Sequence, residues 1–238
     1  LINTILFDLD GTLLPINTED FLQRYFYELG VKFKDYFSPQ ELSEMILAST
    51  YYSIKNNEVD KTNETVFFED FFTKTSYPKE TIIPIFEDFY ENDFRKIKDT
   101  VQQNQFVIKA IEKLKKKGYS LVVATNPIFP KSAVVQRLHW AGLDEKDFQL
   151  LTSFEMMHHC KPKLEYYNEI LTKVGKSPDQ CMMVGNDVEE DMIAKKLGIQ
   201  TYLIEDYMIS RNEEKENIDF RGNYEAFYSF VDALPSVK

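Results

Sequence analysis

The chain has 238 residues, 43% of them hydrophobic and 14% aromatic, enough to bury one large core or two small ones. Net charge is −11 and the sequence pI is near 4.9, which excludes a generalised electrostatic grip on nucleic acid or anionic membrane. No apolar run is long enough to span a bilayer, and the opening LINTILFDLD lacks the basic and small-residue parts of a leader, so the expectation is a cytoplasmic protein whose two cysteines, Cys160 and Cys181, are reduced thiols.

The first element is a strand over roughly 3–8, running into Asp8-Leu9-Asp10-Gly11-Thr12. Side chains two apart on an extended chain share a face, so Asp8 and Asp10 crowd their charges together. Such a pair calls for a shared proton or a cation between the carboxylates. Strand-like alternation then disappears from residue 17 to about 100, and helical spacing takes over. Phe21, Leu22, Tyr25, Phe26 and Leu29 make one stripe, and Ile82, Ile85, Phe86, Phe89 and Tyr90 make another. Ser38-Pro39-Gln40-Glu41 is a capping box with proline at the first helical position, and about four helices fit the stretch. The stripes read as the core of a small bundle. The sequon Asn63-Glu64-Thr65 reads as a chance match.

From about residue 104 onward, strand-length apolar runs alternate with amphipathic stretches, the pattern of a parallel sheet covered by helices. Phe106, Val107, Ala110, Ile111 and Leu114 fall on one helical face, closed by Lys115-Lys116-Lys117 and Gly118. Lys195, Lys196 and Gly198 repeat the stop signal, and Ser177-Pro178-Asp179-Gln180 predicts a single turn before a strand. Further strands fall near 119–125, 149–152, 181–185 and 199–204.

In open parallel sheets the site lies at the carboxyl ends of the strands. There the sequence places Asp8 and Asp10, then Thr125 and Asn126, then Lys161 ahead of Pro162, then Asn186, Asp187 and Asp191. These are the parts of phosphoryl transfer. Asp8 is a candidate nucleophile and Asp10 an acid and base. Thr125, the Asn126 amide and Lys161 are candidates to hold the transferring oxygens. Mg²⁺, a small phosphomonoester's natural counter-ion, would relieve the carboxylate repulsion.

The four ordered motifs resemble those of the haloacid dehalogenase superfamily, whose phosphatases share DxDGT, a strand-terminal Thr or Ser, a Lys before a Pro, and a GDxxx(x)D-type acidic motif. The resemblance implies an α/β, Rossmann-like core over residues 1–16 and 101–238, sheet order 5-4-1-2-3, and a helical cap inserted over 17–100. It also implies a hydrolase working through an aspartyl-phosphate on a small phosphorylated metabolite, with Mg²⁺ on Asp8, the Asp10 carbonyl and a residue of the fourth motif. Here that motif departs from the family, because Asn186 follows the glycine and Asp187 comes next. Either spacing back from Asp191 is allowed. Asp187 is the stronger Mg²⁺ ligand by charge, and Asp191 is expected to fix Lys161 or a metal water. A phosphomutase, a phosphonatase or a non-catalytic binding member share the same core. Asp10 argues against a dehalogenase.

Other candidates carry less. His158-His159-Cys160 lacks metal-ligand spacing and reads as a polar loop. His139-Trp140 reads as packing, Lys163 as a surface residue, and Glu189 and Glu190 as complements to a helix N-terminus.

Overall fold

The computed structural model describes residues 1–211 and 218–237. Its chain begins with β1 (Thr4–Phe7), followed by α1 (Thr18–Lys32), α2 (Pro39–Lys55), α3 (Asn63–Phe71) and α4 (Lys79–Asp88). A π-helical turn (Phe89–Asp93) and a 3-10 helix (Phe94–Thr100) lead into α5 (Gln105–Lys117), β2 (Ser120–Val123), α6 (Lys131–Trp140), β3 (Leu150–Leu151) and α7 (Leu164–Val174). β4 (Cys181–Gly185), β5 (Gln200–Ile204), β6 (Phe220–Gly222) and α8 (Tyr224–Ala233) complete it.

All strands are parallel, in the order 3-2-1-4-5-6. The expected 5-4-1-2-3 is present, extended by β6 outside β5. FRG is only three residues long and exposed at Phe220 and Arg221, too short for alternation to reveal it. Likewise β3 keeps two residues of the four expected.

The strands near the middle are apolar nearly throughout because both faces are covered. Ile5, Phe7, Leu121, Val123 and Val184 pack toward α5, α6 and α8. Leu6, Val122 and Met183 pack toward α7. Helix α5 buries Val107, Ala110, Ile111 and Leu114 and ends at Gly118, whose φ of 88° is a left-handed cap. Lys117 of the lysine run donates to the carbonyls of Val231 at 2.9 Å and Asp232 at 2.7 Å, capping α8. The second basic stop ends a 3-10 stretch, Met192–Leu197, and Pro178–Gln180 is the single turn its capping box predicts.

Of the four inserted helices α1–α4, the first three start at side-chain caps. The Asn17 side chain accepts from the N–H groups of Glu19 and Asp20, and Ser38 accepts from that of Glu41. Phe21, Tyr25, Leu29, Ile82, Phe86 and Phe89 are buried. They do not form a core of their own, because an aromatic seam joins them to the sheet layers. Phe94 stacks on Trp140 at 5.2 Å and 19°, and Phe129 meets Tyr25 edge-on at 5.5 Å. Polar ties add to the seam. The amides of Asn63 and Glu64 donate to the carbonyls of Met157 and Phe154 at 2.8 and 2.9 Å. Asn63 is itself buried, so the side chain that a sequon would modify is enclosed. Among the described residues, no helix is long and apolar enough to cross a membrane.

Candidate active site

Parallel strands deliver their carboxyl ends to one edge of the sheet, and the site assembles there. Past β1, the Asp8 N–H donates to the Val184 carbonyl at 2.9 Å, so the ladder continues until its side chain emerges. Asp8, Asp10, Thr125, Asn126, Asn186, Asp187 and Asp191 all line one cavity of about 270 Å³.

Lys161, fully buried, reaches this group from the loop before α7. Its ammonium donates to Asp191 Oδ1 at 2.6 Å and to Asp8 Oδ1 at 2.8 Å. Burial alone would lower the lysine, but the charges of Asp191 and Asp8 carry it well above its ordinary value, so it stays protonated. Burial raises the Asp191 carboxyl against the pull of Lys161. Asp191 fits only because residue 185 is glycine. A Cβ there would stand 2.1 Å from Asp191 Oδ2.

Asp10 takes a different cation. It pairs with Arg137 of α6, a fully buried arginine whose Nε donates to the Ala133 carbonyl at 3.3 Å. The guanidinium lies 4.5 Å from the Phe129 ring centroid. Burial raises the Asp10 carboxyl, and Arg137 opposes that rise. The crowding of Asp8 and Asp10 is therefore relieved in part by two cations of the chain itself. Sequence reasoning missed Arg137, since an arginine in an amphipathic stretch carries no sign that it turns inward.

At the end of β4, Asn186 is enclosed: Oδ1 accepts from the Thr12 hydroxyl at 3.1 Å, and Nδ2 donates to the Tyr207 carbonyl at 2.6 Å. Gly11, at φ 84°, makes room for it, because a Cβ would lie 2.3 Å from Asn186 Nδ2. Asp187 Oδ1 accepts from the amides of Glu189 and Glu190 at 3.0 and 2.9 Å, so it is the aspartate that caps this turn. Arg211 grips both Asp187 oxygens, at 2.9 and 2.8 Å, and also pairs with Glu189. Glu189 and Glu190 thus do not sit at the start of a regular helix.

The donor chemistry fits a hard divalent cation. Asp8, Asp10, Asp187, Glu190 and Asp191 all line the cavity, where Arg211 is a guanidinium standing in for a cation on Asp187. Among the described residues, no three His, Cys, Asp or Glu side chains are arranged as a preformed metal cage. Mg²⁺ does not require one, since it ordinarily takes one or two carboxylates and completes its shell with phosphate and water.

Asn126 Oδ1 accepts from the Lys161 N–H at 3.2 Å and its Nδ2 donates to Glu190 at 3.3 Å, which places its amide as a brace for the lysine loop. The Thr125 carbonyl accepts from the hydroxyls of Thr152 and Tyr166 at 2.7 and 2.8 Å, fixing the turn that presents its side chain. Elsewhere, Lys163 is not a surface residue: it is half-buried and donates to the Asn56 carbonyl at the end of α2. Trp140 packs, but His139 is exposed and pairs with Glu145 at 2.6 Å. His158 Nδ1 lies 2.8 Å from Glu169. Cys160 and Cys181 are free and buried, with burial pushing their thiols up to about 12 and about 11.

Comparison with known proteins gives the family of the chain. The sequence profile of the haloacid dehalogenase-like hydrolase family matches residues 5–204. The chain is 24% identical over 200 residues to a pyrophosphatase PpaX of Bacillus cereus, an alignment covering 84% of this chain and 82% of the relative. The fold is similar to a HAD phosphatase from Thermococcus onnurineus, at 20% identity and a TM-score of 0.59, over 99% of this chain and all of that one. It is also similar to the hydrolase YfnB of Bacillus subtilis, solved bound to magnesium and described as showing interdomain movement, at 17% identity and a TM-score of 0.57, over 97% and 99% of the two chains. The chain belongs to the haloacid dehalogenase-like hydrolase family.

Proposed function

We propose that this haloacid dehalogenase-like hydrolase is a Mg²⁺-dependent phosphatase that cleaves phosphomonoesters through an aspartyl-phosphate on Asp8. The observation that carries the reading is the disposition of Asp8: a carboxylate on the cavity wall with Oδ1 held by a buried, protonated Lys161 at 2.8 Å and Asp10 on the same wall. Lys161 fixes one oxygen, so Oδ2 is the attacking atom. As the Oδ2–P bond forms, the bond from phosphorus to the leaving oxygen breaks, and Asp10 gives that oxygen a proton. Asp10 then takes a proton from the water that hydrolyses the acyl phosphate. The Lys161 ammonium and the Thr125 hydroxyl hold the non-bridging oxygens while charge spreads over them. Asp191 and Asn126 keep Lys161 in place. Mg²⁺, which Asp8, the Asp10 carbonyl and either Asp187 or Asn186 would hold, neutralises phosphate charge when bound.

The name of the Bacillus cereus relative supports hydrolysis at phosphorus, and the magnesium in YfnB supports the metal. The helices over 17–100 act as the cap, with access and selectivity as their share, since none of the groups assigned to the chemistry lies within them. The test is phosphate release from a simple ester such as ethyl phosphate, with Mg²⁺ and with chelator. Asp8→Asn keeps the shape and hydrogen bond but not the nucleophile, and its turnover should fall below detection with an unchanged circular dichroism spectrum. Full activity in Asp8→Asn overturns the mechanism, and full activity in chelator overturns the metal.

A further inference from the structure

Beside the catalytic cavity lies a larger one of about 810 Å³, between the inserted helices and α6. The two share Leu22, Ile128 and Phe129 as walls, so they are adjoining compartments. We infer that the larger compartment receives the leaving group, and that the substrate is the phosphate monoester of a bulky apolar alcohol, alkyl or aryl, with no second anionic group. This rests on the phosphatase reading and narrows it to a substrate class.

Three observations carry the inference. The volume is that of a compartment for a drug-sized molecule, far beyond the need of a phosphoryl group. Much of its wall is carbon, from Phe26, Phe67, Phe68 and Phe86 with Ile46 and Ile83. Leu22 and Leu47, 36% and 54% exposed, add apolar surface that a ligand would take out of water. Three of the polar residues in the wall, Tyr25, Tyr90 and Gln136, are already paired with one another. The Tyr25 and Tyr90 hydroxyls are 2.6 Å apart, and Gln136 donates to the Tyr90 carbonyl at 2.6 Å. Finally, the charges lining the compartment are chiefly negative, with Glu64, Glu87, Glu91 and Glu155 against Lys131. Burial and the charges of Glu155 and Glu87 already raise the Glu64 carboxyl. A second phosphate or carboxylate on the substrate would meet the same repulsion.

The experiment is calorimetric titration of the full chain, in Mg²⁺, with the non-hydrolysable ethylphosphonate, octylphosphonate and phosphonoacetate. Burial gains roughly four-fold per methylene, so octylphosphonate should bind at least 100-fold more tightly than ethylphosphonate. Phosphonoacetate should bind no better than ethylphosphonate. Val135→Trp, which fills the larger compartment from α6, should remove most of the octyl advantage and leave ethylphosphonate unchanged. Leu47→Trp, at an exposed position of α2, does the same should Val135→Trp not fold. Equal affinity for the two alkyl phosphonates, or preference for phosphonoacetate, overturns the inference. Hydrolysis is read separately, with ethyl and octyl phosphate. Tight octylphosphonate binding without cleavage of either ester leaves the apolar compartment standing and rejects the phosphatase. Cleavage of both at one efficiency, with no octyl gain in binding, does the reverse.

Discussion

At the scale of single residues, the site is a balance between acids that need cations and cations that the chain itself supplies. Asp8 leans on Lys161, Asp10 on Arg137 and Asp187 on Arg211. Removing one member of a buried pair strands the other's charge, which costs far more than the pair contributes. Arg137→Met should therefore destabilise the chain by about 3 kcal/mol, at the low end for such pairs because Asp10 keeps some solvent. Urea unfolding measures it, and a loss below one third of that value means that Asp10 is solvated well enough without its partner. Arg211 behaves differently because it is half exposed while gripping both oxygens of a candidate metal ligand. If Asp187 binds Mg²⁺, the arginine competes, and Arg211→Ala should tighten Mg²⁺ binding roughly five-fold, the equivalent of about 1 kcal/mol for an exposed pair. An unchanged Mg²⁺ titration would point to Asn186 instead. The acids were legible in the sequence because they stand in motifs at strand ends. Of their basic partners, Lys161 was legible too, from its place before Pro162, whereas Arg137 and Arg211 were not, since they come from distant segments that only folding brings near.

At the scale of elements, starts and stops were the most legible features, because caps act through side chains one to three residues away. Ser38 and Gly118 each close a local hydrogen-bond problem that the sequence displays. Non-local docking was not legible. Helix α3 is anchored at its first turn, where Asn63 is buried and its Nδ2 donates to the carbonyls of Pro127 and His159 at 3.3 and 3.4 Å. Nothing in NET distinguishes that from an ordinary helix start. Asn63→Ala should cost about 1–2 kcal/mol, since it leaves two buried carbonyls without this donor. It should also loosen the local tie, so the amides of Asn63 and Glu64, which donate across to Met157 and Phe154, should exchange hydrogen faster than those of α1. Unchanged exchange there would show that the anchor of α3 lies elsewhere.

At the scale of the whole molecule, the sheet order followed from the resemblance and the strand-end motifs, whereas the relation of the inserted helices to the sheet did not. A helical stripe identifies the face that is covered and is silent about what covers it. Phe86 and Tyr25 were read as packing and do pack, yet both also line the large compartment. The same ambiguity governs motion. The chain enters and leaves the insertion through Leu13–Asn17 and the segment from Lys96 to Asn104, and an isolated antiparallel bridge joins Ile16 to Val101, so the two connections form a narrow waist suited to a hinge. Against rotation stands the aromatic seam, in which Phe129 meets Phe21, Tyr25 and Phe94 while Trp140 stacks on Phe94. Each such contact contributes about 0.5–1.5 kcal/mol beyond its buried area, enough to favour one arrangement without locking it. Edge-on rings can slide past one another at less cost than a stacked pair can part. The expectation is that Phe94 and Trp140 stay together while α2 and α3 swing about the waist when a phosphoryl mimic binds, with the first-turn anchor of α3 released in the swing. Spin labels at exposed Leu47 of α2 and at Lys173 of α7 should report a changed distance on addition of Mg²⁺ with a metallofluoride. A distance that stays fixed, together with an unchanged substrate profile in a chain whose α2–α3 connection is shortened, would make the seam rigid and the insertion a structural buttress.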